Sequence, residues 1–226
     1  MTFAAITSGG KDSTLAVYKA MKKGRHLKYV VSIIPQNSES YMFHFPNAGI
    51  ARTHAELMGV PAVVRETPGV KEKELKELED ALESVSNKVG AVSVGAVESV
   101  YQKARVEAIC KRLGIDMIAP LWHMKPDKIW KDCVDNVFEV MMVGVGCEGL
   151  GKEWLGRIID RKALKELTEL SRKYDFHLGG EGGEFETTVL DCPMFSRRIR
   201  VKRGEIQWDG TSGMYLIKEI DLVEKE

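Results

Sequence analysis

The first half of the chain alternates short apolar runs with stretches whose apolar residues recur every three to four positions. Such runs are typical of buried strands, and the longer spacing is typical of amphipathic helices. The alternation predicts a parallel sheet with helices on both faces. The predicted strands are 3–6, 29–34, 62–65, 89–97 and 116–121, and the predicted helices are 48–58, 71–87, 100–113 and one that carries Leu15, Val17, Tyr18 and Met21.

After residue 122 the pattern changes. A helix with Ile129, Trp130, Val134 and Val137 precedes a strand at 138–145, and a helix follows at 163–174. The last third is mostly extended, with predicted strands at 187–190, 197–202, 205–208 and 214–220 and turn signals at Arg203-Gly204 and Asp209-Gly210. We therefore expect an α/β fold: a doubly wound, mostly parallel sheet over residues 1–122 and a smaller mixed α+β subdomain over 123–226.

Composition narrows the class of protein. The 226 residues are 44% hydrophobic, which is enough for a substantial core, and 33 basic residues balance 33 acidic ones. A net charge of zero disfavours nucleic acid as a partner. The cysteines Cys110, Cys133, Cys147 and Cys192 are isolated, so packed thiols are expected rather than a zinc ribbon. No signal-like start and no apolar run of roughly 20 residues is present, so we expect a cytoplasmic protein without a membrane partner.

A glycine-rich hexapeptide, Ser8-Gly9-Gly10-Lys11-Asp12-Ser13, lies between the first predicted strand and helix. Glycines there let amide groups approach an anion, and the helix N-terminus adds partial positive charge. Lys11 supplies a full charge, and the serines supply hydroxyl donors. The spacing is not that of a Walker A motif. A phosphate-binding loop is predicted.

Ligands of doubly wound sheets collect beyond the carboxyl ends of the strands. That rule selects three segments: the Ser8 loop, the segment after Ile34 that contains Tyr41-Met42-Phe43-His44, and Gly95-Ala96-Val97-Glu98-Ser99. We expect these three segments to converge.

A second glycine-rich segment, residues 179–188, holds four glycines and three glutamates. One interpretation is a solvated acidic turn before a strand. The other is a backbone that contacts a ligand, with carboxylates that hold a cation such as ammonium or act as general bases. The ordinary glutamate pKa of about 4.3 favours capture of ammonium over its deprotonation.

Both segments resemble motifs of a known family. The hexapeptide is similar to the pyrophosphate loop of the N-type ATP pyrophosphatases, the PP-loop superfamily with an adenine nucleotide alpha hydrolase-like fold. Together with Glu-Gly-Gly-Glu-Phe-Glu-Thr at 181–187, it resembles the diphthine–ammonia ligase family, especially short archaeal-type members. Further matching pieces are Tyr41-Met42-Phe43-His44, Gly95-Ala96-Val97-Glu98-Ser99, Tyr101-Gln102 with Arg105 and Glu107, Pro120-Leu121-Trp122, and Gly149-Leu150 with Leu155-Gly156-Arg157.

The resemblance implies an ATP-dependent amide ligase. Its substrate would be diphthine, the modified histidine of translation elongation factor 2. ATP would adenylate the diphthine carboxylate with release of pyrophosphate, and ammonia would then displace AMP from the acyl adenylate to give diphthamide. ATP, magnesium, ammonium and elongation factor 2 are the expected cofactors and partners. Residues 1–122 would form the ATP-binding domain and residues 123–226 the substrate-binding subdomain. The sequence does not determine the oligomeric state and is compatible with a homo-oligomer.

The implied site residues fall into three sets. For ATP binding they are Ser8, Gly9, Gly10, Lys11, Asp12, Ser13, Gly95 and Ala96. For substrate binding they are His44, Glu98, Tyr101, Gln102, Arg105, Glu181, Gly182, Gly183, Glu184, Glu186 and Thr187. For catalysis they are Lys11, Asp12, Glu184 and Glu186.

Structural roles compete for several of these side chains. Asp12 could cap its helix instead of anchoring the loop or holding magnesium. His44 could be a packed histidine, and Arg105 could form a surface ion pair. Trp122 and Trp130 are expected in core or hinge packing, and Cys147 is expected to be an inert thiol.

Three other functions compete with the ligase. A tRNA-modifying pyrophosphatase shares the phosphate loop, but it would want a basic face and, for thiolation, paired cysteines. An amide ligase for a small carboxylate uses the same chemistry. A non-catalytic ATP-binding regulator would need neither Lys11 with Asp12 nor the acidic loop.

Overall fold

A computed structural model of the protein describes residues 1–35, 47, 49–67 and 73–225. His44 and the rest of the predicted Tyr41–His44 segment lie outside the described residues, as do the predicted helix starts at 48 and 71. The described chain divides into two compact units, Met1–His123 and Met124–Glu226.

The first unit is an α/β domain. Its strands are β1 (Thr2–Ile6), β2 (His26–Pro35), β3 (Ala62–Thr67), β4 (Ala91–Ser93) and β5 (Asp116–Ile118), and its helices are α1 (Lys11–Lys22), α2 (Ile50–Leu57), α3 (Lys73–Ser86) and α4 (Val100–Leu113). All pairings of the sheet are parallel, and the strand order is β3-β2-β1-β4-β5. The predicted doubly wound parallel sheet is confirmed.

Apolar periodicity explains how the helices pack on this sheet. The spacing of Leu78, Leu82 and Val85 gives α3 one apolar face, and all three side chains are buried in a core cluster with Val31 and Val92. The charged residues between them face outward in the predicted way; Asp80 and Glu83, for example, are exposed. The strand β4 is shorter than predicted because residues 94–97 leave the ladder and form the loop that leads to α4.

The second unit contains two helices and one antiparallel sheet. Its elements are α5 (Pro126–Asp135), β6 (Glu139–Val145), a short 3₁₀ helix (Lys152–Trp154), α6 (Arg161–Tyr174), β7 (Phe185–Asp191), β8 (Arg198–Trp208) and β9 (Gly213–Val223). The strand order is β7-β6-β9-β8. This architecture confirms the mixed α+β character that the sequence predicts for this half.

Two local predictions for the second unit are wrong. Arg203-Gly204 is not a turn, because β8 runs through it with a register shift against β9. A larger residue does not fit at position 204, because the ring of Tyr215 on β9 lies 2.2 Å from the position of an ideal Cβ. Val137 does not belong to the helix α5, which ends at Asp135; Val137 has a positive φ of 51° and is 77% exposed.

Candidate functional site

The Ser8 loop lies where the strand order of the parallel sheet reverses. On one side β1 pairs with β2, the next strand in the sequence. On its other side it pairs with β4, which comes from the later half of the unit. Crevices outside the carboxyl ends of such strand pairs are the usual ligand sites of doubly wound sheets. Both the Ser8 loop, after β1, and the Gly95 loop, after β4, begin at this point.

Gly95 brings these two loops into direct contact. An ideal Cβ on Gly95 would lie 2.6 Å from the amide nitrogen of Ser13 and 2.7 Å from its Cα. Both atoms belong to the backbone, so a larger residue could not be accommodated by a side-chain rotation. Glycine at 95 therefore lets the β4 loop pack flat against the first turn of α1. The structure brings the first and third predicted segments together, while the second lies outside the described residues.

Hydroxyl groups hold the phosphate loop in shape. The amide of Gly9 donates to Thr7 Oγ1 at 3.1 Å, and the hydroxyls of Thr7 and Ser13 are hydrogen-bonded at 2.9 Å. The amide of Gly10 lies 3.4 Å from Ser8 Oγ, and Ser13 Oγ donates to the carbonyl of Gly10 at 3.2 Å. Gly9 takes the positive φ of 85° that glycine favours. The loop conformation is thus fixed by its own hydroxyl groups.

Thr7 is a residue of this loop that the sequence interpretation missed. It is buried, and its hydroxyl links the end of β1 to the start of α1. The available signal was a hydroxyl residue closing an otherwise apolar strand directly before the glycines.

Lys11 and Asp12 begin α1. Lys11 is only 3% exposed, and its Nζ lies 2.8 Å from Asp12 Oδ2, whose side chain is 25% exposed. The N-cap residue of α1 is Gly10, which makes no side-chain cap hydrogen bond. Asp12 is therefore not the N-cap residue of α1, and its carboxylate forms an ion pair with Lys11. This arrangement places a desolvated cation and the positive end of the helix at the same loop.

The start of α4 carries the other predicted residues of the first unit. Ser99 caps the helix by accepting a hydrogen bond from the amide of Gln102 at 3.2 Å. The guanidinium of Arg105 stacks over the ring of Tyr101, 4.3 Å from its centroid. Glu98 is exposed, and Ala96 is buried. The Tyr101–Arg105 stack holds both side chains on one side of α4.

The acidic loop lies in the second unit, between α6 and β7. Its last part extends the β6–β7 ladder, because the amide of Gly146 donates to the carbonyl of Glu184 at 2.8 Å. Glu186 pairs in register with Gly144, and its side-chain stem crosses that glycine. Phe185 points to the other side of the strand and is buried near Trp130, with ring centroids 6.2 Å apart.

Glu184 makes backbone contacts inside this loop. Its Oε1 accepts from the amide of His177 at 3.1 Å, and its Oε2 accepts from the amide of Gly182 at 2.8 Å. Glu181 and the two glycines that follow it are exposed, whereas Glu186 and Thr187 are partly buried. His177 itself is a loop residue that the sequence interpretation missed; the available signal was an imidazole two residues before the glycine run.

Cys147 lies close to this acidic loop. Its burial and the nearby negative charge of Glu184 raise the pKa of the thiol to about 11. A thiol with so high a pKa is protonated at neutral pH and is a poor nucleophile. The expected inert character of Cys147 follows from this environment. Burial likewise raises the pKa of Cys110 to about 11 and that of Cys192 to about 12.

Two features, a metal-binding cluster and a membrane-spanning helix, are absent from the described residues. Within the described ranges, no group of three or more His, Cys, Asp or Glu side chains forms a ready-made metal site. None of the helices in the described part of the chain is both long and apolar enough to cross a membrane.

A parallel α/β unit with a glycine-rich phosphate loop at its switch point defines a nucleotide-binding protein of the PP-loop class. Comparison with known families places the chain more narrowly. The family model of the diphthamide synthase N-terminal domain matches residues 1–117, and that of the C-terminal domain matches residues 125–223. The chain belongs to the diphthamide synthase family, whose use of ATP fits this loop.

Curated relatives agree with this membership. A human protein named diphthine–ammonia ligase is 32% identical over 227 residues, which cover 91% of this chain and 85% of the human one. Proteins of the same name are 31% identical in Schizosaccharomyces pombe and 32% identical in Saccharomyces cerevisiae, where the match covers 37% and 33% of those longer chains. These relatives are enzymes by name, and none is named for tRNA.

Proposed function

We propose that the chain is an ATP-dependent ligase that converts the carboxylate of diphthine on translation elongation factor 2 to the amide of diphthamide, with ammonium as the nitrogen donor. Membership of the diphthamide synthase family and the names of the relatives support the reaction. The observation that supports assigning this reaction to particular residues is the preformed loop beside Lys11 at the switch point of the sheet.

The loop residues fit the phosphates of ATP. In the proposed assignment, Ser8, Gly9, Gly10, Lys11, Asp12 and Ser13 surround the phosphates, with Gly95 and Ala96 beside them. Lys11 would stabilise the negative charge that develops on the leaving pyrophosphate, since a desolvated ammonium interacts strongly with such charge. Because the loop backbone is already hydrogen-bonded, little reorganisation is needed when the anion binds.

Magnesium is the second part of this proposal. The ion usually takes one or two protein carboxylates together with phosphate oxygens and water. Asp12 fits that requirement, because its carboxylate lies in the first turn of α1 and is partly exposed. The ion would neutralise phosphate charge there.

The acidic loop would serve the second substrate. We assign Glu181, Glu184 and Glu186, with Gly182, Gly183 and Thr187, to the binding of diphthine or ammonium, and we count Glu184 and Glu186 with Lys11 and Asp12 as the catalytic groups. His44, Glu98, Tyr101, Gln102 and Arg105 complete the proposed substrate set. Carboxylates suit this task because they accept hydrogen bonds from ammonium and attract its charge.

The chemistry proceeds in two steps. An oxygen of the diphthine carboxylate bonds to the α-phosphorus of ATP, the bond from that phosphorus to the bridging oxygen breaks, and pyrophosphate leaves. Ammonia then attacks the acyl carbon, and AMP leaves with the oxygen. Nitrogen that arrives as ammonium must lose two protons before it becomes a neutral amide, so acceptors near it are required.

Mass spectrometry of the modified histidine tests the function. Purified chain, ATP, magnesium and ammonium should convert the acid to the amide on diphthine-bearing elongation factor 2, and omission of ATP or ammonium should prevent it. Glutamine in place of ammonium should be ineffective. Failure to form any amide under complete conditions would reject the proposed reaction and turn attention to small carboxylates and tRNA.

A further inference from the structure

The segment 177–184 contains two side chains that bind its own backbone amides. His177 Nδ1 accepts from the amides of Gly179 at 3.2 Å and Glu181 at 3.4 Å. The Glu184 carboxylate accepts from the amides of His177 and Gly182, at 3.1 and 2.8 Å. Because Nδ1 accepts in both contacts, the tautomer that makes them carries its proton on Nε2. We call these four contacts the His177–Glu184 clamp.

The clamp restrains a stretch of chain that would otherwise be unusually free. Four glycines lie at 179, 180, 182 and 183, and glycine loses more conformational freedom on ordering than any other residue. Gly182 is itself fitted to the clamp, because an ideal Cβ there would lie 2.7 Å from Glu184 Oε1. The missing side chain makes room for the carboxylate that binds the amide of the same residue.

Two further hydrogen bonds tie the clamped segment to the rest of its unit. The indole Nε1 of the fully buried Trp130 donates to the carbonyl of Leu178 at 2.8 Å. The amide of Gly146 donates to the carbonyl of Glu184, also at 2.8 Å. Rigid groups thus hold the segment at both ends, and the clamp fixes the backbone between them.

We propose that His177 is a positioning residue for the substrate side of the reaction. Through the clamp it fixes the backbone that carries Glu181 and Glu184, directly before β7. This inference rests on the proposed function, because the groups being positioned are those assigned to diphthine and ammonium. It adds a residue outside the predicted set and gives Glu184 a fixed orientation before substrate binds.

Three substitutions at one position separate the clamp from a general effect on folding. Asparagine carries its amide oxygen at the δ position, so His177→Asn keeps an acceptor for the two amides. His177→Gln moves the polar group one atom further out, and His177→Ala removes it. The exposed His26 on β2 provides the matched control, His26→Ala.

Amide hydrogen exchange measures whether the hydrogen bonds of the clamp are formed, independently of enzymatic activity. His177→Ala and His177→Gln should speed exchange at residues 179 and 181 by about tenfold, the effect of losing one ordinary hydrogen bond. His177→Asn and His26→Ala should exchange like the wild type. Equal exchange in His177→Ala and the wild type, or no rescue by asparagine, would overturn the clamp even if the ligase assay succeeds.

Steady-state kinetics measure the effect of the clamp on the reaction. His177→Ala and His177→Gln should lower kcat/KM for the diphthine substrate by about ten- to a hundredfold, as misplaced groups do, with the KM for ATP unchanged. Glu184→Gln, which replaces one acceptor oxygen by a donor, should behave likewise. An equal loss of ATP affinity in these variants would overturn the positioning role. Absence of amide formation by the wild type itself would reject the proposed function, while the exchange result would still decide whether the clamp exists.

Discussion

At the scale of single residues, the pair Lys11 and Asp12 carries the largest share of the proposed chemistry. A lysine that is 3% exposed has exchanged most of its hydration for contacts inside the protein. Its charge therefore acts at short range and through little water, which is the condition under which an ammonium stabilises a phosphate leaving group most strongly.

Lys11→Met should lower the rate of AMP formation by about a hundredfold or more, the usual loss when one stabilising group is removed from a transition state. The measurement is steady-state turnover with the complete set of substrates. Lys23→Met, at the exposed C-cap residue that follows the same helix, is the control and should keep wild-type turnover. A Lys11→Met enzyme with unchanged turnover would remove Lys11 from the catalytic set.

At the scale of elements, the β4 loop is in close contact with α1 at the proposed phosphate site. The sequence predicted that the first strand ends before Ser8, but it extended the fourth predicted strand through Gly95 to residue 97. It could not predict that the Gly95 backbone lies against Ser13, since strand order and register decide which loops meet.

Gly95→Ala should raise the KM for ATP about tenfold or more, because overpacking against backbone forces a displacement and costs about 1–3 kcal/mol. The added methyl would begin 2.6 Å from the amide nitrogen of Ser13, so the first turn of α1 must move. Gly49→Ala is the matched control, since its Cβ meets nothing within 4 Å. ATP kinetics that do not change in Gly95→Ala would show that this contact does not shape the nucleotide site.

The turn between β8 and β9 is held by one carboxylate. Asp209 accepts hydrogen bonds from the amides of Ser212 at 2.7 Å and Thr211 at 2.9 Å, and from both of their hydroxyls. The Ser212 amide, followed by the Thr211 amide, holds the pKa of Asp209 well below its ordinary value. A carboxyl with a lowered folded-state pKa stabilises the fold above its unfolded pKa of about 3.9, and that contribution is lost as the pH falls through the folded-state pKa.

Asp209→Ala should therefore lower Tm at pH 7. The difference from the wild type should shrink progressively below about pH 4, where the Asp209 carboxyl takes up a proton first in the unfolded chain and at lower pH in the folded one. Thermal melts between pH 2.5 and 7 measure this. Asp80→Ala, at an exposed aspartate of α3, is the control for removal of a surface carboxylate. A Tm difference for Asp209→Ala that is constant over this range would contradict the role assigned to the ionised carboxylate.

The elements themselves could be predicted to a large extent. Period and turn chemistry gave the parallel sheet, the four helices around it and the mixed α+β character of the second unit. The errors are local and have physical causes. Gly204 resembles a turn glycine in sequence, yet Tyr215 covers it from the opposite strand, which is a contact between positions eleven residues apart. Val137 has a helical spacing from Val134, but the chain reverses at it with a positive φ.

At the scale of the whole molecule, the proposed chemistry is divided between two units of different architecture. The parallel unit carries the phosphate loop, and the antiparallel unit carries the acidic loop. Both loops could be found from sequence because their glycines and charges are concentrated in short segments. The residues that hold them, Thr7 and His177, were missed, because their sequence signals are weak and their contacts are with backbone amides whose directions depend on the folded loop.

The most direct test of the account measures AMP formation from ATP and magnesium with diphthine-bearing elongation factor 2 and ammonium each supplied or omitted. We expect AMP to form only when the diphthine carboxylate is present, and the amide to appear only when ammonium is added as well. AMP that forms equally without the factor, or no AMP with all components present, would contradict adenylation of diphthine by this chain.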